Sequence, residues 1–362
     1  MHDFLFLQSL YSPSKWLGIV KNNFLTIPYY QERRIIQMTK QTKNKYEVEK
    51  EVVFRQVTEE WFAFLKPQLK ESSIIKYRNI LNLYLLPEYG DCRISEISRA
   101  DITAFGNRLL TDGGRKQEGL SPKTVTGIIA VMKSIFGYAV QEMELPLPDI
   151  RGVYIKQPQK SLRVLSRVEQ QKLSSYLCRN PSLCNLGVLT CLYTGLRIGE
   201  ICALKWGDIL FDEQYLYVHK TMQRLQTLSE EGEKTTILIS APKSECSVRK
   251  IPIPNELFRL LVDYRQPDEA YFLTGYPERY IEPRTMENRF KLMLSHCGIS
   301  NAHFHTLRHT FATRCVELGF DVKSLSEILG HSTVNITMNR YVHPSMELKQ
   351  KNMNMLSELF PK

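Results

Sequence analysis

The sequence predicts a mainly α protein of two domains: a four-helix N-terminal domain, then a mixed, mainly helical domain with a small antiparallel three-stranded sheet. Three observations predict it. Apolar residues recur at helical spacing in four segments between residues 58 and 141. A break rich in proline and glycine follows, with Pro146, Pro148, Gly152 and Pro158. Strand-like runs are confined to residues 215–253, with helical patterns on both sides. The length, 362 residues, suits two domains at roughly 150 residues each. At 43% hydrophobic and 24% charged, the chain has ordinary globular composition.

Residues 1–50 read as a poorly defined extension. Phe4, Phe6, Trp16, Phe24, Tyr29 and Tyr30 hold no period, and residues 31–50 are polar and lysine-rich. Met38 reads as an alternative initiator, the preceding residues being either a start-site artefact or a further module.

The first domain is read as residues 52–144. Thr58 caps a first helix, with Trp61, Phe62 and Leu65 on its apolar face. Ser72 or Ser73 opens a second, with Ile74, Tyr77, Leu81, Tyr84 and Leu85 on one face; Pro87 and Gly90 end it. Ser98 caps a third, with Ile102, Phe105 and Leu109 in register. Ser121-Pro122 is an N-cap followed by proline at the first helical position. Val125, Ile128, Ile129, Met132 and Phe136 then give the clearest helical period in the chain. Residues 145–162 are read as a linker.

The second domain is read as residues 163–362. Ser166-Arg167-Val168-Glu169 has the capping-box form. A helix follows near residues 185–194 and stops at Gly195. Residues 215–220, 236–240 and 249–253 read as strands, with a turn at Lys243-Ser244-Glu245. Beyond them the pattern is helical to Phe360.

Composition narrows the function classes. With 48 basic against 38 acidic residues, the formal net charge of +10 suits polyanionic partners such as DNA or RNA and, equally, a solvated basic surface on an ordinary protein. No run approaches the roughly 18 apolar residues of a membrane span, and Met1-His2-Asp3 lacks a basic secretory n-region. None of the eight cysteines forms a C-x-x-C pair, so reduced thiols in a cytoplasmic protein are expected. His303, His305 and His309 have a conceivable zinc spacing, but no H-E-x-x-H or acidic cluster supports a metal, and no cofactor is expected.

The second domain gathers the residues that carry chemistry. They are Thr194-Gly195-Leu196-Arg197-Ile198-Gly199-Glu200, then His305-x-x-Arg308, then Gly330-His331, and Tyr341 ten residues on. Singly, each has a plain structural explanation: a surface Arg, a helix-terminal His, a turn His, a half-buried core Tyr. In this order and spacing they resemble the tyrosine recombinase, or phage integrase, family. Lys243 lies between the first two motifs, where that family keeps a catalytic Lys. Leu120-Ser121-Pro122-Lys123-Thr124-Val125 and the four-helix pattern resemble its SAM-like core-binding domain. The resemblance spans roughly residues 55–345.

The resemblance implies a site-specific DNA recombinase of a mobile element, acting in the bacterial cytoplasm and at the nucleoid. It would cleave and rejoin DNA through a covalent 3′-phosphotyrosine, without metal or ATP. Arg197 and Arg308 would present paired donors to phosphate oxygens, supported by His305 and His331. Tyr341 would be the nucleophile, His305 its proton acceptor, Lys243 the general acid for the 5′-oxygen, and Glu200 would orient Arg197. His309 is read as structural. The implied partners are double-stranded DNA attachment sites held in a two-domain clamp, further copies forming a tetramer at synapsis, and accessory DNA-bending or directionality proteins. Met346, Met353, Leu356 and Phe360 form an apolar stripe in the polar tail, read either as packing on its own domain or as docking on a neighbouring protomer. The alternatives are a recombinase that resolves chromosome dimers and an inactive DNA-binding regulator on the same scaffold. None of the catalytic residues is lost, which argues against the latter.

Overall fold

The computed structural model describes residues 52–114, 117–158, 162–226, 235–242, 245–342 and 346–356. The N-terminal extension and Lys243 lie outside them. The chain divides into two compact units, with the boundary between Pro158 and Gln159.

In the first unit, α1 (Phe54–Leu65) and α2 (Glu71–Ile80) are followed by a π-helical turn, Leu81–Leu85, and the short α3 (Leu86–Tyr89). Arg99–Thr111 is α4 and Pro122–Gln141 is α5. The start of α1 lies before the expected cap: Thr58 is buried mid-helix, because Phe54 and Val57 extend the inward face backwards. Ser98 caps α4 with Asp101 in a reciprocal capping box. Ser121 caps α5 by accepting the Thr124 N–H at 3.2 Å.

The centre of this unit is α5. Its 20 residues are long and apolar enough to cross a membrane. Here Val125, Ile128, Ile129, Val131, Met132, Ile135, Phe136 and Ala139 are instead buried against the other helices. The segment read as a linker is part of this core over residues 145–155, since Leu145, Ile150, Val153 and Ile155 are buried in it. Lys133 Nζ fastens the segment by donating to the carbonyls of Arg151 and Val153 at 2.9 and 2.7 Å. Irregular backbone of this kind has no periodicity to betray its burial.

The second unit opens with α6 (Arg167–Arg179), capped by the Ser166–Glu169 box. Helix α7 (Leu183–Thr194) is buried on nearly all sides and therefore lacks an amphipathic stripe. The short α8 (Ile198–Ala203) follows. The strands are β1 (Ile209–Leu210), β2 (Tyr215–Val218), β3 (Thr221–Gln226), β4 (Thr235–Ser240) and β5 (Arg249–Pro252). The antiparallel three-stranded sheet exists, but in the order β1-β2-β5; β4 leaves it to pair with β3 as a separate hairpin. Helices α9 (Asn255–Asp263), α10 (Pro283–His296), α11 (His305–Glu317), α12 (Val322–Leu329), α13 (Val334–Tyr341) and α14 (Met346–Met355) complete the unit. The main core surrounds α7, while Ala312, Cys315, Leu325, Leu329 and Tyr341 form a smaller one joining α11, α12 and α13. Met353, Met355 and Leu356 of the tail are exposed; Phe360 lies outside the described residues.

Candidate active site

Helix α7 ends because Gly195 takes the left-handed conformation, with φ 69° and ψ 20°. A Cβ there would meet Phe311 Cδ1 at 2.6 Å and Leu329 Cδ2 at 2.9 Å. The turn delivers Arg197 to the N-cap of α8. Glu200 accepts the Arg197 backbone N–H at 2.9 Å and its guanidinium Nη1 at 2.7 Å. In the T-G-x-R-x-x-E box the glutamate therefore supplies half of a capping box, reaching back to the N-cap N–H, while the Glu200 N–H donates to the Arg197 backbone carbonyl at 2.9 Å.

Three guanidiniums converge on the C-terminal end of α12. Arg249 Nε donates to the Ile328 carbonyl at 2.6 Å, Arg308 Nη2 to that of Leu329 at 2.6 Å, and Arg197 Nη2 to that of Gly330 at 3.1 Å. The last carbonyls of a helix lack intrahelical partners and carry the negative end of its dipole, so cationic donors suit them. Arg308 also donates through Nη1 to the Gly195 carbonyl at 2.8 Å, tying the end of α7 to that of α12. Only 2% exposed, it is held down to about 9 by burial first and Arg197 second, and stays cationic at neutral pH. Burial opposes the ionisation of Glu200, but Arg249 and Arg197 outweigh it and hold the carboxyl below its usual range.

Gly330, also left-handed at φ 64°, turns the chain into His331. The ring Nδ1 of His331 lies 2.8 Å from Thr337 Oγ1, and the ring is parallel to that of Tyr341 within 5° at 6.4 Å between centroids. Tyr341 ends α13 and is 6% exposed. Its hydroxyl lies 2.8 Å from Nδ1 of His309. Burial raises the Tyr341 pKa, against the lowering effect of Arg308 and Arg340. His305 opens α11 and meets the His309 ring edge-on at 4.5 Å. Burial, helped by the surrounding cations, depresses His305 and His309 to about 4 and His331 to about 3, so all three imidazoles are neutral at pH 7.

The structure thus brings Arg197, Glu200, His305, Arg308, His331 and Tyr341 into one cluster, while Lys243 falls between β4 and β5, outside the described residues. Two members were not anticipated. His309, read as structural, holds the Tyr341 hydroxyl. Arg249 was read only as the start of a strand. Its parity was the available signal: Arg249 alternates with Lys250 and shares the inward face of β5 with Ile251, so its side chain had to be buried and paired. Among the described residues, no three His, Cys, Asp or Glu side chains are grouped to hold a metal ion.

Residues 163–347 match the model of the phage integrase family, and residues 53–110 that of its N-terminal SAM-like domain. A tyrosine recombinase XerC-like protein of Caldanaerobacter subterraneus is 28% identical, over 83% of this chain and 81% of that protein. The ICEBs1 integrase of Bacillus subtilis is 24% identical, over 73% of this chain and 72% of its own. In fold, the chain is similar to the Tn1549 transposon integrase solved in complex with circular intermediate DNA, with a TM-score of 0.66 and 22% identity over 84% of this chain and all of that one. With the ordered motifs folded into one cluster and a family model matching half of its length, the chain belongs to the phage integrase family.

Proposed function

We propose that this protein is the integrase of a mobile element, a tyrosine-type site-specific recombinase that cuts and rejoins double-stranded DNA through a 3′-phosphotyrosine on Tyr341. The observation that carries this reading is the packing of two cationic guanidiniums, Arg197 and Arg308, beside a buried tyrosine. Phosphoryl transfer to a hydroxyl builds negative charge on the non-bridging oxygens. A fixed donor aimed at such charge is worth about 3–4 kcal/mol, and two forked cations supply several. His305 and His331 add neutral imidazole donors, Glu200 orients Arg197, and Lys243 protonates the departing 5′-oxygen. The phosphotyrosyl ester conserves the bond energy, so rejoining needs no nucleotide.

The partners are DNA attachment sites, with four protomers at synapsis because four strands are exchanged. The exposed Met353 and Met355 of α14, with Leu356 directly after it, suit a helix that docks on a neighbouring protomer. Accessory bending or directionality proteins would act on the same DNA, in the bacterial cytoplasm. Similarity to the ICEBs1 integrase supports the mobile-element role.

The test is to incubate the protein with junction DNA of its element and separate covalent adducts on a denaturing gel. Tyr341→Phe is expected to bind DNA within about two-fold of wild type and to form no adduct. An adduct on another residue of that variant overturns the assignment.

A further inference from the structure

We propose that His309 is a catalytic residue, the acceptor that takes the Tyr341 phenolic proton on Nδ1 as the oxygen attacks phosphorus. This rests on the recombinase reading and departs from the family resemblance, which gives the acceptor's role to His305.

The geometry carries it. Nδ1 of His309 is 2.8 Å from Tyr341 Oη, the distance of a formed hydrogen bond. Both side chains are nearly sealed from solvent, at 5% and 6% exposure, so water is poorly placed to remove the proton. His305 sits one helical turn earlier and meets His309 edge-on. His331 has its Nδ1 on Thr337 and lies parallel to the phenol ring, a stacking arrangement that does not aim a lone pair at Oη. His309 directly follows Arg308 in α11, so one turn of one helix fixes both the phosphate donor and the base.

The electrostatics fit an acceptor that works only during the reaction. His309 is faced by His305 and Arg308 of its own helix, by His303 before it and by Arg340 of α13. Burial, then these neighbours, keep the imidazole neutral with a lone pair available, while burial keeps the phenol protonated. The bond is then Oη–H donating to Nδ1, with the ring proton on Nε2. Transfer ahead of attack is steeply uphill. It becomes favourable as the O–P bond forms, because an esterified phenolic oxygen cannot retain the proton.

The step balances. The Oη–H bond breaks and its proton moves to Nδ1. An Oη electron pair forms the bond to phosphorus. The P–O5′ pair departs with O5′, which takes a proton from Lys243. Rejoining is the reverse: the incoming 5′-hydroxyl attacks, and His309, destabilised as a cation, returns the proton to Oη.

The experiment measures single-turnover adduct formation on nicked junction DNA. His309→Asn keeps a polar atom near the Nδ1 position, able to hold the phenol but not to accept its proton. Adduct formation is expected to fall at least about 100-fold, in the range of general-base contributions, with DNA affinity within about two-fold. Replacing Tyr341 by 3,5-difluorotyrosine, with rates followed to alkaline pH, supplies a more acidic phenol that depends less on an acceptor for its proton. It should recover at least ten-fold of the loss in His309→Asn and none of the loss in His305→Asn. His309→Gln repeats the comparison if thermal melting shows His309→Asn unfolded. An adduct rate in the His309 variants within three-fold of wild type, or equal recovery in the His305 and His309 variants, overturns the proposal. Absence of an adduct with wild-type protein would instead refute the recombinase reading itself.

Discussion

Arg249 and Glu200 form a buried two-point ion pair, Nη1 to Oε1 at 3.2 Å and Nη2 to Oε2 at 3.0 Å, with side chains 6% and 3% exposed. The pair links β5 to α8 and, through Ile328, to the end of α12. It joins β5, the strand that follows Lys243 in the sequence, to two other parts of the site.

Removing one partner of such a pair leaves a buried charge inadequately matched, at a cost of about 3–5 kcal/mol. Arg249→Met is therefore expected to lower the unfolding free energy by about 3 kcal/mol in chemical denaturation. Adding Glu200→Gln to Arg249→Met should restore part of that stability. Arg249→Lys keeps the charge without the fork and should fall between. Simple additivity of the two changes would show that the pair is not coupled.

Gly195→Ala places a side chain in a left-handed turn, which costs about 1–2 kcal/mol before any clash. The contacts with Phe311 and Leu329 add to this, and the carbonyl held by Arg308 shifts with the turn. The expected outcome is a loss of about 2–3 kcal/mol in stability and a fall in adduct formation larger than that in DNA binding. A variant as stable as wild type would contradict the strain assigned to the turn.

Acid should weaken the second unit. His305 and His309 at about 4 and His331 at about 3 lie below the unfolded value near 6.5. The unfolded chain thus gains protons first as pH falls. The stabilisation is complete above pH 6.5 and is lost on descent toward pH 4 and 3. For His309 alone the loss by pH 5 is on the order of 1–2 kcal/mol. Melting temperature followed from pH 7.5 to 5 should drop, and drop less in His309→Asn. Equal slopes for the two proteins would show that His309 does not titrate in this way.

Lys243→Ala should be severely slow on ordinary DNA and largely recovered on a substrate with a bridging 5′-sulfur, whose leaving group needs no proton. Arg308→Ala should stay defective on both, because the charge on the phosphate oxygens is unchanged. Similar recovery of the two variants would remove Lys243 from the acid's role.

The ordered motifs were legible because they are local. Gly195 and Glu200 specify the turn and the contacts around Arg197 within six residues, and the caps at Ser98 and Ser166 are equally local. Helix α5 announced itself through its period. The strand pairing was not legible. Three short strand-like runs do not say which will share a sheet, and Ile209–Leu210 is too short to signal at all. The burial of residues 145–155 was hidden for the same reason, since irregular chain packs without a period.

By itself the sequence determined the helical class, the order of the two domains, and the identity and spacing of Arg197, Glu200, His305, Arg308, His331 and Tyr341. Those rest on propensity, capping and motif, which act over a few residues. The tertiary structure decided which groups meet across distance. Arg249 is 49 residues from Glu200, and His309 is 32 residues from Tyr341. A buried arginine and a buried imidazole acquire roles only from what the fold packs against them, because a polar group removed from water must take the partner that the packing provides.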